Sequence, residues 1–204
     1  MNYKMMGRFL AQILSLEAVF MFPALCISLY YGETMAIKGF LIAIAIAAAV
    51  SALLHGVCKG APSAFYAKEG FVCVAVSWIA MSLVGCLPFC ISREIPSFVD
   101  SFFEIVSGFT TTGASIVPAV EDLSKGILYW RSFSHWLGGM GVLVFLLAII
   151  PGSKEAGFTM HLLRAESPGP NVGKLVPRMR KTATILYLIY IGLTLVNIVF
   201  LLFG

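Results

Sequence analysis

The sequence predicts an all-α membrane protein, and three features of its composition and pattern support this fold class. Of the 204 residues, 59% are hydrophobic and 12% are charged, with a mean hydropathy of +0.93, whereas soluble domains carry about 25% charged residues. The hydrophobic residues are concentrated in runs of about 20 residues, the length that a helix needs to cross a bilayer. A short polar segment with one glycine, 109–115, lies between two such runs.

Five hydrophobic runs are long enough to be transmembrane helices. The first two cover about 9–31 and 37–57, and the third covers about 71–91. The fourth extends from about 127 to 150, and the fifth from about 182 to 204. All five are predicted to be helical, because a single chain that crosses lipid must satisfy its own backbone hydrogen bonds.

The charged residues of the connections predict the orientation of the spans. Lysine and arginine are concentrated before the first run, between the second and third runs, and between the fourth and fifth runs. The connection 92–126 is acidic instead, with Glu94, Asp100, Glu121 and Asp122. We therefore expect the amino terminus and the connection 151–181 on the cytoplasmic side, and 92–126 on the outer side.

Within the outer connection, residues of about 97–109 predict a short pore helix that enters the membrane and turns back. Pro96 and Ser97 are typical of a helix start. Hydrophobic residues then recur at helical spacing, at Phe98, Phe102, Ile105, Val106 and Phe109. A helix of about eleven residues reaches only ~17 Å, which is too short to cross a bilayer. Its carboxyl end carries a partial negative charge that favours a cation.

The segment after this helix, Thr110, Thr111, Thr112 and Gly113, predicts a turn that presents several oxygen atoms to one cation. Non-helical backbone at membrane depth persists only where protein buries it or where it lines a wet pathway. Carbonyl rings of this kind replace the hydration shell of a cation. Gly113 permits backbone conformations closed to residues with a Cβ. An ordinary polar loop is the alternative interpretation.

Three motifs resemble the Trk/Ktr/HKT superfamily of potassium transporters. Segment 107–115, SGFTTTGAS, resembles the first pore loop of the bacterial Trk-type potassium uptake proteins. Segment 130–141, WRSFSHWLGGMG, resembles the stretch that follows this loop, and segment 160–170, MHLLRAESPGP, resembles the cytoplasmic link to the second repeat. The two additional amino-terminal spans also resemble the Trk membrane subunit, so the resemblance covers nearly the whole chain.

The resemblance implies potassium uptake across the bacterial inner membrane through a pore. The carbonyls of Thr111 and Thr112 would bind K⁺, with Thr110 beside them, and Gly113 would be the filter glycine that favours potassium over sodium. Family members carry four repeats around one pore, form homodimers, and bind a cytosolic nucleotide-binding regulatory subunit. No cofactor is expected besides the transported ion.

The resemblance also predicts the organisation of the chain. It divides into an amino-terminal helix pair (1–60), a first membrane–pore–membrane repeat (61–150) with the filter at 110–113, a cytoplasmic link (151–181), and the first helix of an incomplete second repeat (182–204). Because one filter segment cannot surround an ion, a truncated, non-conducting membrane module that assembles with other subunits is the alternative function.

Charged residues within the apolar runs are expected to have partners. Arg131 is expected either to pair with Glu104 or Asp100 and so support the pore loop, or to extend to the membrane interface. Glu17, in the first run, is a second buried charge whose neighbour the sequence leaves open. Gly138 lies in mid-span, as do Gly139 and Gly141, and we interpret these glycines as sites of close helix packing.

Other function classes are excluded by the distribution of the reactive residues. His55, His135 and His161 lie in three different segments, so no metal-ligand cluster is visible. No nucleophile–base pair or carboxylate pair can be argued, and we therefore expect no enzyme. The net charge is +4, but the basic residues are not interleaved with aromatic residues as they are in nucleic-acid binders. Orienting the fifth run is a sufficient role for the basic residues before it, and contact with membrane lipid or a cytosolic partner is the alternative.

Overall fold

A computed structural model describes residues 3–59, 67–141 and 179–203, and helices dominate all three parts. In chain order the helices are α1 (Tyr3–Tyr31), α2 (Thr34–Val57), α3 (Ala67–Gly85), α4 (Leu87–Ile91), α5 (Phe98–Phe109), α6 (Lys125–Met140) and α7 (Met179–Phe203). A short 3-10 turn, Val120–Asp122, lies between α5 and α6. The predicted all-α fold is confirmed.

Four helical stretches among the described residues are long and apolar enough to cross a membrane, namely Tyr3–Tyr31, Thr34–Val57, Phe71–Ile91 and Thr184–Phe203. They correspond to the first, second, third and fifth predicted runs. Helix α6 covers the first part of the fourth predicted run and ends at Met140, where Gly141 adopts φ +75°, so the prediction of a helix that continues through Gly141 is wrong. Residues 142–150 of that run lie outside the described part of the chain. Residues 151–178 of the predicted cytoplasmic link, including the 160–170 motif, also lie outside it.

Helices α1 and α2 form a tight hairpin. Gly32, with φ +71°, ends α1, and only Gly32 and Glu33 separate it from α2. Small residues recur every three or four positions on the buried side of α2, at Ala36, Gly39, Ala43, Ala47 and Ser51. The Ser51 hydroxyl donates to the carbonyl of Ala11 on α1 at 2.8 Å. Small side chains let membrane helices approach closely, and α1 and α2 pack together along this side.

The third predicted span, about 71–91, is observed at Phe71–Ile91, with a one-residue turn at Cys86 between two helical segments. Helix α3 ends at Gly85 and α4 begins at Leu87. Pro88 has no N–H, so it cannot satisfy the carbonyl four residues earlier, and the helix breaks. The indole of Trp130 on α6 donates to the Gly85 carbonyl at 2.9 Å, which satisfies one of the backbone groups near the break.

The core lies where α1, α3, α5 and α6 meet. Its largest fully buried side chains include Trp130 and Phe109, whose rings pack edge to face with centroids 6.4 Å apart. Trp78 of α3 contacts the other side of Phe109, with centroids 6.0 Å apart. Since Phe109 is the last residue of α5, this aromatic core fixes the carboxyl end of the short helix.

Candidate ion-binding site

Helix α5 is the short helix that the sequence predicts over about 97–109. Ser97 caps its amino end by accepting from the N–H of Asp100 at 3.4 Å. The Ser101 hydroxyl donates to the carbonyl of Ile95 at 2.7 Å, which ties the first turn to the preceding loop. With 12 residues, the helix spans about 18 Å, less than the hydrocarbon thickness of a bilayer.

The carboxyl end of α5 packs against α6 at the level of the backbone. A Cβ added at Gly138 would collide with the Phe109 carbonyl, and one added at Gly108 would collide with the Ser134 hydroxyl. A Cβ added at Gly139 would likewise collide with the Tyr190 hydroxyl of α7. The close packing predicted for Gly138 and Gly139 is therefore observed, and at Gly138 it brings α6 against the last residue of α5.

The threonine segment ends the helix and does not continue it. The N–H groups of Thr110, Thr111 and Thr112 donate back to the carbonyls of Val106, Gly108 and Ser107 at 2.9, 2.9 and 3.0 Å. Thr111 has φ +55° and Gly113 has φ +75°, both in the left-handed region where helices commonly stop. The amide protons of the turn therefore point back toward the helix.

Most carbonyl oxygens of the same turn accept no hydrogen bond within the part of the chain that the structure describes. Among the described residues, no hydrogen-bond donor contacts the carbonyl of Thr111, Thr112 or Gly113. The Thr110 carbonyl accepts from the Thr111 hydroxyl at 2.7 Å, and the hydroxyls of Thr110 and Thr112 lie 2.8 Å apart. Residues 110–116 are exposed. Three backbone oxygens are thus available to a ligand at the carboxyl end of α5.

The chain that returns from the turn is held by Glu104, which is 1% exposed. Its carboxylate accepts from the Ser115 hydroxyl at 3.0 Å and from the N–H of Ile116 at 3.0 Å. It also accepts from Nε of Arg131 on α6 at 2.5 Å. Of the two partners predicted for Arg131, the structure selects Glu104. This carboxylate links α5, the returning chain and α6.

Sequence reasoning missed two serines that brace the turn. The Ser107 hydroxyl donates to the Ala114 carbonyl at 2.5 Å, across the base of the loop. Ser115 uses its hydroxyl both to donate to Glu104 and to accept from the N–H of Val117 at 3.1 Å. Both serines belong to the SGFTTTGAS segment, so the signal was the symmetric placement of hydroxyls around the threonines.

Sequence reasoning also missed two acids from other parts of the chain that accept hydrogen bonds from the beginning of α6. Glu33, in the α1–α2 turn, accepts from the N–H groups of Lys125 and Gly126 at 2.5 and 3.0 Å. Glu94 accepts from the N–H of Ser124 at 2.9 Å. Glu33 lies 92 residues before Lys125 in the chain, so no local pattern could have revealed the contact.

Glu17 of α1 is 1% exposed, and its neighbours are largely apolar. Its Oε1 lies 3.0 Å from where a Cβ of Gly85 would be, and Ile105 and Phe109 of α5 approach the same point. Among the described residues, neither carboxylate oxygen has a hydrogen-bond partner. The buried charge that the sequence left without a neighbour therefore lies beside the break between α3 and α4, behind α5.

The fold and the site together define a class: an all-helical, multi-span membrane protein in which a short helix ends in a turn of exposed backbone oxygens. The family model for TrkH, described as a cation transport protein, matches residues 36–204. The chain therefore belongs to the Trk-type family of potassium transporters, as its motifs predicted.

Two relatives in the family show how similar the chain is to known members and how much of their length it covers. The chain is 36% identical over 196 residues to the Trk system potassium uptake protein TrkH of Halomonas elongata, covering 95% of this chain and 40% of that protein. It is 44% identical over 130 residues to the Escherichia coli TrkH, covering 62% of this chain and 26% of that protein.

A solved structure agrees with the fold over the whole chain. The crystal structure of the potassium transporter TrkH from Vibrio parahaemolyticus matches with a TM-score of 0.78 at 29% identity, covering 100% of this chain and 40% of that one. The chain thus spans about two-fifths of the length of the Halomonas elongata relative and of this solved relative.

Proposed function

We propose that this chain supplies one filter segment to a Trk-type pore that takes up potassium ions across the plasma membrane. The observation that carries the proposal is the set of carbonyl oxygens on Thr111, Thr112 and Gly113 that lack hydrogen-bond donors among the described residues. They follow a helix too short to cross a bilayer, in a chain whose relatives are named potassium uptake proteins.

In this proposal K⁺ loses its water shell and binds the carbonyls of Thr111 and Thr112, with Thr110 beside them and Gly113 completing the filter. Carbonyl dipoles provide the field, and the carboxyl end of α5 adds a partial negative charge. The ion then moves down the membrane potential, which is worth about 2.3 kcal/mol per elementary charge per 100 mV. Glu104 and Arg131 support the loop by fixing the chain on the far side of the filter.

The surroundings of the pore are part of the same proposal. We place the protein in the bacterial inner membrane with its amino terminus in the cytoplasm, because the basic connections are expected on that side. The complete subunit is proposed to form a homodimer and to bind a cytosolic nucleotide-binding regulatory subunit. Its other contacts would be membrane lipid, and neither nucleic acid nor a covalent reaction has a role.

Rubidium uptake in bacteria that lack their own potassium uptake tests the proposal. A complete subunit, in which residues 1–204 replace the matching part of the Halomonas elongata relative, should restore uptake. Gly113→Val in that protein should abolish uptake, because a β-branched residue cannot adopt the backbone of the turn without strain. Gly192→Ala, on α7 where a Cβ would meet open space, is the matched control. Normal uptake and potassium selectivity in Gly113→Val would contradict the filter assignment.

A second candidate function is a non-conducting membrane module that assembles with other subunits. It rests on the argument from the sequence that a single filter segment cannot surround an ion. Co-production of residues 1–204 with the remaining repeats separates the two functions. Rubidium uptake that is restored by this chain and lost in Gly113→Val would favour the filter segment, whereas uptake that is insensitive to Gly113→Val would favour the non-conducting module.

A further inference from the structure

The amino end of α6 is capped by acids from elsewhere in the chain. Ser124, the N-cap residue, makes no capping bond with its own side chain. The first N–H groups of a helix have no partner within the helix and need other acceptors. The carboxylate of Glu33 accepts from two of these N–H groups, that of Lys125 at 2.5 Å and that of Gly126 at 3.0 Å. One carboxylate therefore caps the first turn of α6. A carboxylate is a strong acceptor there, because the helix dipole favours negative charge.

The position of Glu33 is fixed by the α1–α2 hairpin. Its own N–H donates to the carbonyl of Ser28 at 3.0 Å, and its carbonyl accepts from the N–H of Ile37 at 2.9 Å. A Cβ added at Gly126 would collide with the Ser28 hydroxyl and would lie 2.9 Å from the carbonyl of Ala24. The beginning of α6 is therefore pressed onto the end of α1 while Glu33 binds it from the turn.

Helix α6 connects this contact to the filter segment. Arg131, less than two turns after the capped residues, binds Glu104. Glu104 in turn accepts the N–H of Ile116, on the chain that returns from the threonine turn. A shift of the beginning of α6 would therefore displace the group that anchors the filter.

We propose that Glu33 is a positioning residue for the filter segment, acting through α6. The amino-terminal helix pair then contributes to ion selection and does more than anchor the protein in the membrane. The consequence for ions rests on the proposed function, while the mechanical connection rests on the contacts alone, so the two are tested separately.

Hydrogen exchange of the purified chain tests the connection. Glu33→Gln removes the charge and one of the two acceptor oxygens, so the exchange of the amide that loses its acceptor, Lys125 or Gly126, should rise about tenfold, the effect of losing a helix-cap bond. The exchange of Ile116 and Thr112 should rise as well. Glu33→Asp keeps the charge and should lie between wild type and Glu33→Gln, which keeps the test valid if Glu33→Gln folds poorly. Glu121→Gln, an exposed acid in the 3-10 turn, is the matched control.

Faster exchange confined to the beginning of α6 would overturn the proposal, since it would make Glu33 only a local cap. Uptake provides the second arm, measured in the complete subunit that carries residues 1–204. Glu33→Gln should lower the ratio of rubidium to sodium uptake several-fold at an equal protein level, whereas an unchanged ratio would overturn the role in selection. Absence of rubidium uptake in the unsubstituted protein would contradict the proposed function, and the exchange arm would then decide the connection alone.

Discussion

Replacing Arg131 with glutamine should destabilise the chain by about 3 kcal/mol, through the loss of its pair with Glu104. The Glu104 side chain is 0% exposed and that of Arg131 is 14% exposed, so water screens the pair poorly. Removing one partner of a buried ion pair costs ~3–5 kcal/mol, because an uncompensated charge remains. Glu104 keeps its bonds from Ser115 and Ile116, which places the expected loss at the lower end of that range.

Replacing the other partner, Glu104, with glutamine should destabilise the chain less. Glutamine at position 104 keeps an acceptor oxygen for the N–H of Ile116, and the unpaired Arg131 can reach solvent. We expect about 2 kcal/mol for Glu104→Gln, and a coupling energy of about 2 kcal/mol in the double-mutant cycle. Lys125→Gln removes the same charge from an exposed position on the same helix and serves as the control.

Unfolding in mixed detergent–SDS micelles, followed by tryptophan fluorescence, measures these energies. Trp130 is fully buried against Phe109, so its emission should report loss of the core. A coupling energy near zero, with Arg131→Gln no worse than Lys125→Gln, would refute the argument that this pair anchors the loop.

Three further predictions follow from contacts described above and use the same unfolding assay. Gly138→Ala should destabilise the chain by about 2 kcal/mol, since its Cβ would collide with backbone, whereas Gly192→Ala should be neutral or stabilising; equal effects would argue against close packing. Gly113→Ala should cost only about 1–2 kcal/mol, from left-handed backbone without a clash, and a larger loss would indicate a contact that the structure lacks. Glu17→Met should stabilise by about 1–3 kcal/mol, because it replaces a buried carboxyl that has no hydrogen-bond partner among the described residues; destabilisation would indicate a partner.

Features encoded locally could be predicted from the sequence. The short helix was expected over about 97–109 and is observed at Phe98–Phe109, because hydrophobic periodicity and the Ser97 cap are both local signals. The third span was expected at about 71–91 and is observed at Phe71–Ile91, and only the one-residue turn at Cys86, close to Pro88, was not foreseen. Hydropathy defines where a span lies and says little about its continuity.

Tertiary partners could be predicted only in part. The argument that a buried arginine needs an acid reduced the partners of Arg131 to two, and only packing could choose Glu104. Glu33 gave no signal, because an acid in a tight turn is ordinary and its contact depends on how α1 and α6 cross. The threonines were recognised as candidate ligands by residue type, while the direction of their carbonyls depends on the left-handed turn.

The left-handed backbone of Thr111 affects both the stability of the turn and its proposed role. A β-branched residue at φ +55° is strained by about 1–2 kcal/mol, where glycine would be relaxed. Because a residue with a Cβ prefers other backbone states, the surrounding contacts of the turn must hold Thr111 at this angle. In the proposed function this held conformation preorganises the ion site, so Thr111→Gly is expected to give a more stable chain that binds the ion more weakly.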